Sequence, residues 1–272
     1  MRRVHLGTSG WAYSSWSPGF YPPRTPSSKY LGYYASQLNC VEVNYTFRAH
    51  PTAKMLANWC AATPPDFQFA FKAHQRITHI KRLRDVQPDV ESFFGVLEPL
   101  REAGRLGPML FQLPPNLKAD TDRLRAFLQC IPRNAGAALE FRHESWFADA
   151  VFDLMREHDV ALCIAESDDL QVPEVHTAGF AYYRFRRSEY SDSDVQALQA
   201  RLAEAARDRE VFAFLKHEES PEGALNARRL LEAFSGAPPV ACECPTVARD
   251  PGTPARDSSA PHATSAAGSP IG

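Results

Sequence analysis

The chain has 272 residues, 44% of them apolar and 23% charged, and its 30 basic and 32 acidic side chains leave a formal charge of −2. Such a chain buries roughly three quarters of its extended surface on folding, so it needs neither disulfides nor a structural metal to hold a core. The near-zero charge excludes a polycationic field for docking on nucleic acid or an anionic membrane, and the apolar runs are strand-sized, far short of the roughly 20 residues of a membrane helix.

In chain order, eight β-rich runs are predicted as strands: Val4–Ser9, Cys40–Tyr45, Phe67–Lys72, Pro108–Leu113, Ala137–Arg142, Val160–Ala165, Phe180–Arg186 and Val211–His217. Met1-Arg2-Arg3 leads directly into the first, without the apolar core of a signal peptide, and a cytoplasmic protein is expected. Amphipathic helical patterns follow most of the strands. Asp120 or Thr121 opens a helix through Leu124, Phe127 and Leu128 that Pro132 closes. Ser191 and Asp192 cap a run with Val195, Leu198, Leu202 and Ala205 on one face. Ser220-Pro221-Glu222 starts a last helix with Leu230, Leu231 and Phe234 facing inward. Residues 166–179 show no helical period. Eight β–α units in about 235 residues predict an α/β protein, a single (β/α)₈ barrel. A doubly wound open sheet normally has fewer strands and a Gly-rich first turn, which is missing.

From residue 237 to 272 the composition shifts to Pro, Ala, Ser, Thr and Gly without any period, and a disordered tail is expected. Six cysteines spread along the chain read as reduced thiols. Cys242-Glu-Cys244 offers two metal ligands, but no further pair stands nearby.

In such a barrel the functional face is the carboxyl end of the strands, and here those ends are polar. Period-2 alternation puts Glu42 and Asn44 on one face. Lys72 ends the third run with His74 beyond it, and Gln112 ends the fourth. Glu140, Arg142 and His143 end the fifth, Glu166 and Asp168 follow the sixth, Arg184 and Arg186 end the seventh, and Lys216 and His217 end the eighth. Inward alternation predicts a mouth with acids 42, 140 and 166 against bases 72, 142, 184, 186 and 216, a local excess of positive charge. Above it lies an aromatic loop with Trp11, Tyr13, Trp16, Phe20 and Tyr21, which either stacks on a sugar or base or packs as an apolar plug.

Gly7-Thr8-Ser9-Gly10-Trp11, Phe20-Tyr21-Pro22, Val41-Glu42-Val43-Asn44 with Thr46-Phe47, Ile77-Thr78-His79, Leu106-Gly107-Pro108, Gln112-Leu113-Pro114-Pro115, and Glu140-Phe141-Arg142-His143 with Ser145-Trp146 occur in one order along the chain. This series resembles the successive motifs of the "domain of unknown function 72" (YecE-like) family over about residues 3 to 235. The resemblance implies a TIM-barrel fold and leaves the activity open. Two positions depart from the family pattern. Where its members often carry His-Gly after the strand-seven arginine, this chain has Phe185-Arg186-Arg187, and where they often end strand eight in two asparagines it reads Lys216-His217. Both changes add positive charge.

These residues point to an enzyme, a hydrolase or lyase, acting on an anionic small molecule that is phosphorylated or sugar-like. Glu42, Glu140 and Lys72 are the catalytic candidates, and Trp11, Asn44, Gln112, Arg142, His143, Arg184, Arg186 and Lys216 the substrate-binding candidates. Arg184 and Lys216 are expected as principal anion donors with Arg186 in support, because loops after strands seven and eight hold phosphate in many barrels. A buried structural ion network of Glu42, Glu140, Arg142 and Arg184 is the alternative use of the same charges. A metal-dependent nuclease, as in barrels related to endonuclease IV, would draw on Glu42, Glu140, Glu166, His143 and His74, against the repulsion of five nearby cations. Schiff-base chemistry at Lys72 or Lys216 competes with simple pairing of Lys72 to Glu42 or Glu140. Single-stranded nucleic-acid binding would use the aromatic loop, Arg186, Arg187 and the basic stretch from His79 to Arg84. No Gly-rich phosphate loop and no Gly-x-Ser-x-Gly elbow is present, and no cofactor or metal is expected.

Overall fold

Eight parallel strands alternate with helices in the computed structural model, which describes residues 3–235 apart from Asn134, Ser188, His217 and Glu218. The expected tail, with Cys242 and Cys244, lies outside the described residues, as does His217. The elements are β1 (Val4–Thr8), α1 (Tyr30–Gln37), β2 (Cys40–Val43), α2 (Ala53–Ala62), β3 (Gln68–Lys72), α3 (Gln87–Glu102), β4 (Leu106–Gln112), α4 (Thr121–Cys130), β5 (Ala137–Glu140), α5 (Asp149–Glu157), β6 (Val160–Ala165), β7 (Phe180–Phe185), α6 (Asp192–Ala205), β8 (Glu210–Leu215) and α7 (Glu222–Ser235). The sheet runs β1-β8-β7-β6-β5-β4-β3-β2, and a parallel bridge between Ser9 and Glu42 brings its two ends together. This is the nearly closed (β/α)₈ barrel expected from the strand count. No helix among the described residues is long and apolar enough to cross a membrane.

The seam between β1 and β2 is held by side chains where backbone pairing lapses. Asn39 Nδ2 donates to the Val4 carbonyl at 2.9 Å, and its Oδ1 accepts from the Leu6 N–H at 2.8 Å. One residue thus does for β1 what a neighbouring strand would do, satisfying groups whose burial without partners is costly. Further up, the Tyr34 hydroxyl accepts from the Thr8 N–H at 2.8 Å and donates to the Cys40 carbonyl at 2.9 Å. The close approach requires glycine at position 7, where a Cβ would fall 2.1 Å from the Cys40 oxygen. On the other side, β6 and β7 pair only from Cys163 upward. Below that point Thr177 Oγ1 donates to the Val160 carbonyl at 2.6 Å and accepts from the Leu162 N–H at 2.9 Å.

Inside the barrel, small side chains on one wall face large ones on the other. Ala70, Ala138, Ala161 and Ala165 on β3, β5 and β6 leave room for Tyr182, Phe212 and Phe214 on β7 and β8, which is how an interior of fixed width reaches close packing. Outward residues such as Phe69, Phe71, Phe111 and Leu139 pack beneath the helices. The helix starts follow their signals. Asp120 accepts from the Arg123 N–H ahead of α4, and Ser191 forms a reciprocal capping box with Asp194 ahead of α6. Val195, Leu198, Leu202 and Ala205 are the buried face of α6, as their spacing predicts. Residues 166–179 contain no helix, so β6 is followed by an open loop.

Candidate functional site

Most strand ladders stop one or two residues short of the predicted ends. Asn44, Arg142, Arg186 and Lys216 therefore stand just past β2, β5, β7 and β8, on the mouth of the barrel. Beneath them the inward side chains form one ion network. Arg184 is buried, and its two terminal nitrogens reach different strands: Nη1 donates to Glu140 Oε2 at 2.6 Å, and Nη2 to Glu42 Oε1 at 2.7 Å. Arg186 Nη2 donates to both oxygens of Glu140, at 3.0 and 3.2 Å, and Gln112 Nε2 adds a bond of 2.9 Å. Glu42 also accepts from Ser9 Oγ and from the Tyr182 hydroxyl, each at 2.8 Å. Two buried carboxylates thus face two guanidiniums, and formal charge closes to zero within the cluster.

The electrostatics follow. Burial alone pushes the Glu140 carboxyl up, but Arg184 and Arg186, with the hydrogen bonds from Arg184 and Gln112, outweigh it and hold it at about 2. With both oxygens bonded to Arg184, Arg186 and Gln112, Glu140 serves here as an anchor for cations. Arg184, expected as a principal ligand donor, is instead buried beneath the mouth with each terminal nitrogen bonded to a carboxylate, and it does not line the cleft.

Lys72, at the end of β3, is half-buried beside this cluster but outside its hydrogen bonds. The expected pairing with Glu42 or Glu140 is not formed; Nζ lies over the Phe47 ring, 4.3 Å from its centroid. Burial lowers its pKa, repulsion from Arg184 lowers it further, and attraction to Glu42 and Glu140 only partly restores it, leaving about 8. Thr46 fixes this geometry, its hydroxyl lying 2.6 Å from the Lys72 carbonyl oxygen. His79, from the π-helical turn Arg76–Ile80, packs edge-on against the same Phe47 ring. Its pKa is lowered by burial and then by Lys72, Arg142 and Arg82.

An open cleft of ≈ 550 Å³ lies over β5–β7, lined by Arg142, Arg186, Arg187 and the loop from Glu166 to Val172. A second cavity of ≈ 270 Å³ shares Arg142, Glu166 and Arg186 with it and adds Glu140 and His143. The missing helix after β6 is what leaves this space open. Arg142 is exposed there, makes no hydrogen bond among the described residues, and comes no nearer to Glu140 than 3.9 Å. Asp168 and Asp169 form an acidic rim.

Several expected members sit elsewhere. Glu166 lines the cleft but does not join Glu42 and Glu140 in the buried network: β6 points Ala161, Cys163 and Ala165 inward, so Glu166 has the opposite phase. Its carboxylate instead accepts from the Arg186 N–H at 2.9 Å and from the Tyr190 hydroxyl, holding the loop after β7. Trp11 packs edge-on against Trp59 of α2, Phe20 and Tyr21 pack with Tyr30, Tyr33 and Tyr34, and Trp16 packs against Phe20 and Tyr21. The aromatic loop is therefore a packing cluster over α1 and α2. Lys216 is exposed, with its backbone N–H on the Phe185 carbonyl at 2.9 Å. Asn44 presents a buried Oδ1 without a hydrogen-bond partner.

The ligands of the metal-dependent alternative do not converge. His143 and His74 accept from the Ser145 and Arg76 N–H groups, and no group of three or more His, Cys, Asp or Glu among the described residues is arranged to hold a metal ion. In the basic stretch, Lys81 is bound to Asp89 at 2.6 Å, and Arg76 joins the same carboxylate at 2.7 Å.

A family model described as "Protein of unknown function DUF72" matches residues 5–248. The UPF0759 protein YunF of Bacillus subtilis (strain 168) is 32% identical over 157 residues, covering 55% of this chain and 54% of that protein. The chain thus spans about half the length of the curated relative it matches. A solved DUF72 family protein from Thermotoga maritima MSB8 is 27% identical with a TM-score of 0.78, covering 86% of this chain and 100% of that one. Another from Enterococcus faecalis V583 is 17% identical at a TM-score of 0.67, covering 88% and 99%, and shows the fold alone.

Proposed function

The chain belongs to the DUF72 family of proteins of unknown function, and from the charge left over at its barrel mouth we propose that it binds and acts on an anionic, phosphorylated or sugar-like small molecule there. Arg142 carries this reading. Its guanidinium opens on the cleft without a hydrogen bond, while the carboxylate nearest to it is already saturated by Arg184, Arg186 and Gln112. A planar fork with free donors suits a phosphate or carboxylate, which it grips through two parallel bonds. Arg186 lies on the same cleft, and Asp168 and Asp169 also line it and offer acceptors for hydroxyl groups. The ligand best matched to that division has an anionic end and a polyol body. In this reading the Glu42–Arg184–Glu140 core is the rigid base of the site, and the reacting groups are those above it.

The test is thermal unfolding against inorganic phosphate, with chloride at matched ionic strength to remove screening. Millimolar phosphate should raise the midpoint of the wild type and have a much smaller effect on Arg142→Ala. A wild type indifferent to phosphate overturns the proposal.

A further inference from the structure

Lys72 adjoins two carboxylates and pairs with neither. Neither Glu42 nor Glu140 comes within ion-pair distance of Nζ, because Arg184, Arg186, Ser9, Tyr182 and Gln112 already occupy their oxygens. What the ammonium has is the Phe47 ring at 4.3 Å. A half-buried amine with no acid to hold its proton keeps its lone pair within reach of chemistry. The other lysines differ: Lys29, Lys54, Lys118 and Lys216 are exposed, and Lys81 is bound to Asp89.

We propose that Lys72 is an imine-forming nucleophile, and that its partner is the carbonyl carbon of an anionic aldehyde or ketone whose charged end rests on Arg142. This rests on the anion reading above and gives it a substrate class. The neutral amine attacks the carbonyl carbon and a C–N bond forms. The π pair moves to oxygen, which takes up a proton while nitrogen loses one, giving a carbinolamine. The C–O bond then breaks, water leaves with a second proton, and nitrogen's pair closes the C=N bond as a protonated imine. The balance is neutral amine plus carbonyl plus one proton to protonated imine plus water, with no oxidant or reductant. The cationic imine remains over the Phe47 face, which stabilises it as it does the ammonium. His79, packed edge-on against the same ring with its pKa lowered by burial and by Lys72, is the group we assign to carry protons between nitrogen and oxygen.

The experiment is reductive trapping of the full chain with pyruvate and cyanoborohydride at pH 8, with each labelled lysine located by peptide mass. With a pKa of about 8 against the 10.5 of an ordinary lysine, the neutral fraction of Lys72 is on the order of 100-fold higher at that pH, so its labelling should exceed that of Lys118 by at least tenfold. Labelling should fall with added phosphate and should be absent from Lys72→Arg, which keeps the charge and the fold. Equal labelling of Lys72 and the exposed lysines, or no adduct on Lys72, overturns the proposal. Phosphate stabilisation of the wild type separates the two claims: present without a Lys72 adduct, it leaves the anion site standing and removes the nucleophile.

Discussion

Ser9 and Glu42 meet twice at the carboxyl end of the barrel, through a parallel backbone bridge and through a hydrogen bond of 2.8 Å from Ser9 Oγ to Glu42 Oε1. The same Oε1 accepts from Arg184. Barrel closure and the ion network therefore share one carboxylate, so what disturbs the charges of the mouth also loosens the seam between β1 and β2.

The lower part of that seam depends on Asn39, whose amide serves both the Val4 carbonyl and the Leu6 N–H. Asn39→Ala leaves both groups without partners and should cost about 2 kcal/mol, at about 1–3 per unsatisfied buried group less what water recovers. Urea unfolding should show a lower midpoint with an unchanged slope. Gly7→Ala, with its Cβ overlapping the Cys40 oxygen, should be worse than Asn39→Ala. A Gly7→Ala protein as stable as the wild type would contradict the close approach.

Removing the guanidinium of Arg184 leaves two carboxylates buried against each other. Arg184→Met should destabilise the protein by about 3–5 kcal/mol, the range for breaking one side of a buried pair. Arg184→Lys should rescue little, because one ammonium cannot donate to Glu42 and Glu140 in the fork geometry that spans β2 and β5. Chemical denaturation of the two variants measures this, and a stable Arg184→Met would mean that the acids find other partners.

The inward positions were legible because alternation has a fixed period of two. Once Glu140 is taken as inward, Arg142 follows, and Glu42, Gln112, Arg184 and Arg186 are found by the same count. Glu166 was placed at the mouth but with the wrong phase because β6 is apolar throughout, so its sequence contains no polar–apolar alternation from which to read it. Pairing was less legible than position. A guanidinium fork reaches two strands at once and displaces Lys72 from acids that local reasoning gave it, and no sequence period announces that competition. Tyr182 as a donor to Glu42 and Asn39 as a substitute strand were missed for the same reason, since each acts between elements distant in the chain. For Trp11 the choice between stacking on a ligand and packing stayed open because the sequence could not show Trp59 beside it.

Glu140 gives the protein an acid limit. A carboxyl held at about 2 in the folded state against 4.5 when unfolded adds stability above pH 4.5 and loses it as pH falls toward 2. The contribution is about 3 kcal/mol at neutral pH, at 1.36 per unit. In Glu140→Gln that pH dependence is absent. Its stability deficit relative to the wild type should therefore shrink steadily between pH 5 and pH 3, read from unfolding midpoints on the order of one pH unit apart. A deficit that stays constant would show that the Glu140 charge is not coupled to folding.

Lys72 has the opposite sign. Its pKa is lowered on folding, from 10.5 to about 8, so the unfolded chain binds the extra proton and the charged side chain opposes folding at neutral pH. That opposition is fully present below pH 8 and is relieved as pH rises toward 10.5. Lys72→Met, which fills the place over Phe47 without a charge, should melt at a higher temperature than the wild type at pH 7, and the gap should close as pH approaches 10.5. The nucleophile proposed above would be a destabilising group kept for its reactivity. Thermal unfolding of the two proteins from pH 7 to pH 10.5 checks it, and a Lys72→Met protein that melts lower at pH 7 would show that the ammonium is held by attraction to Glu42 and Glu140.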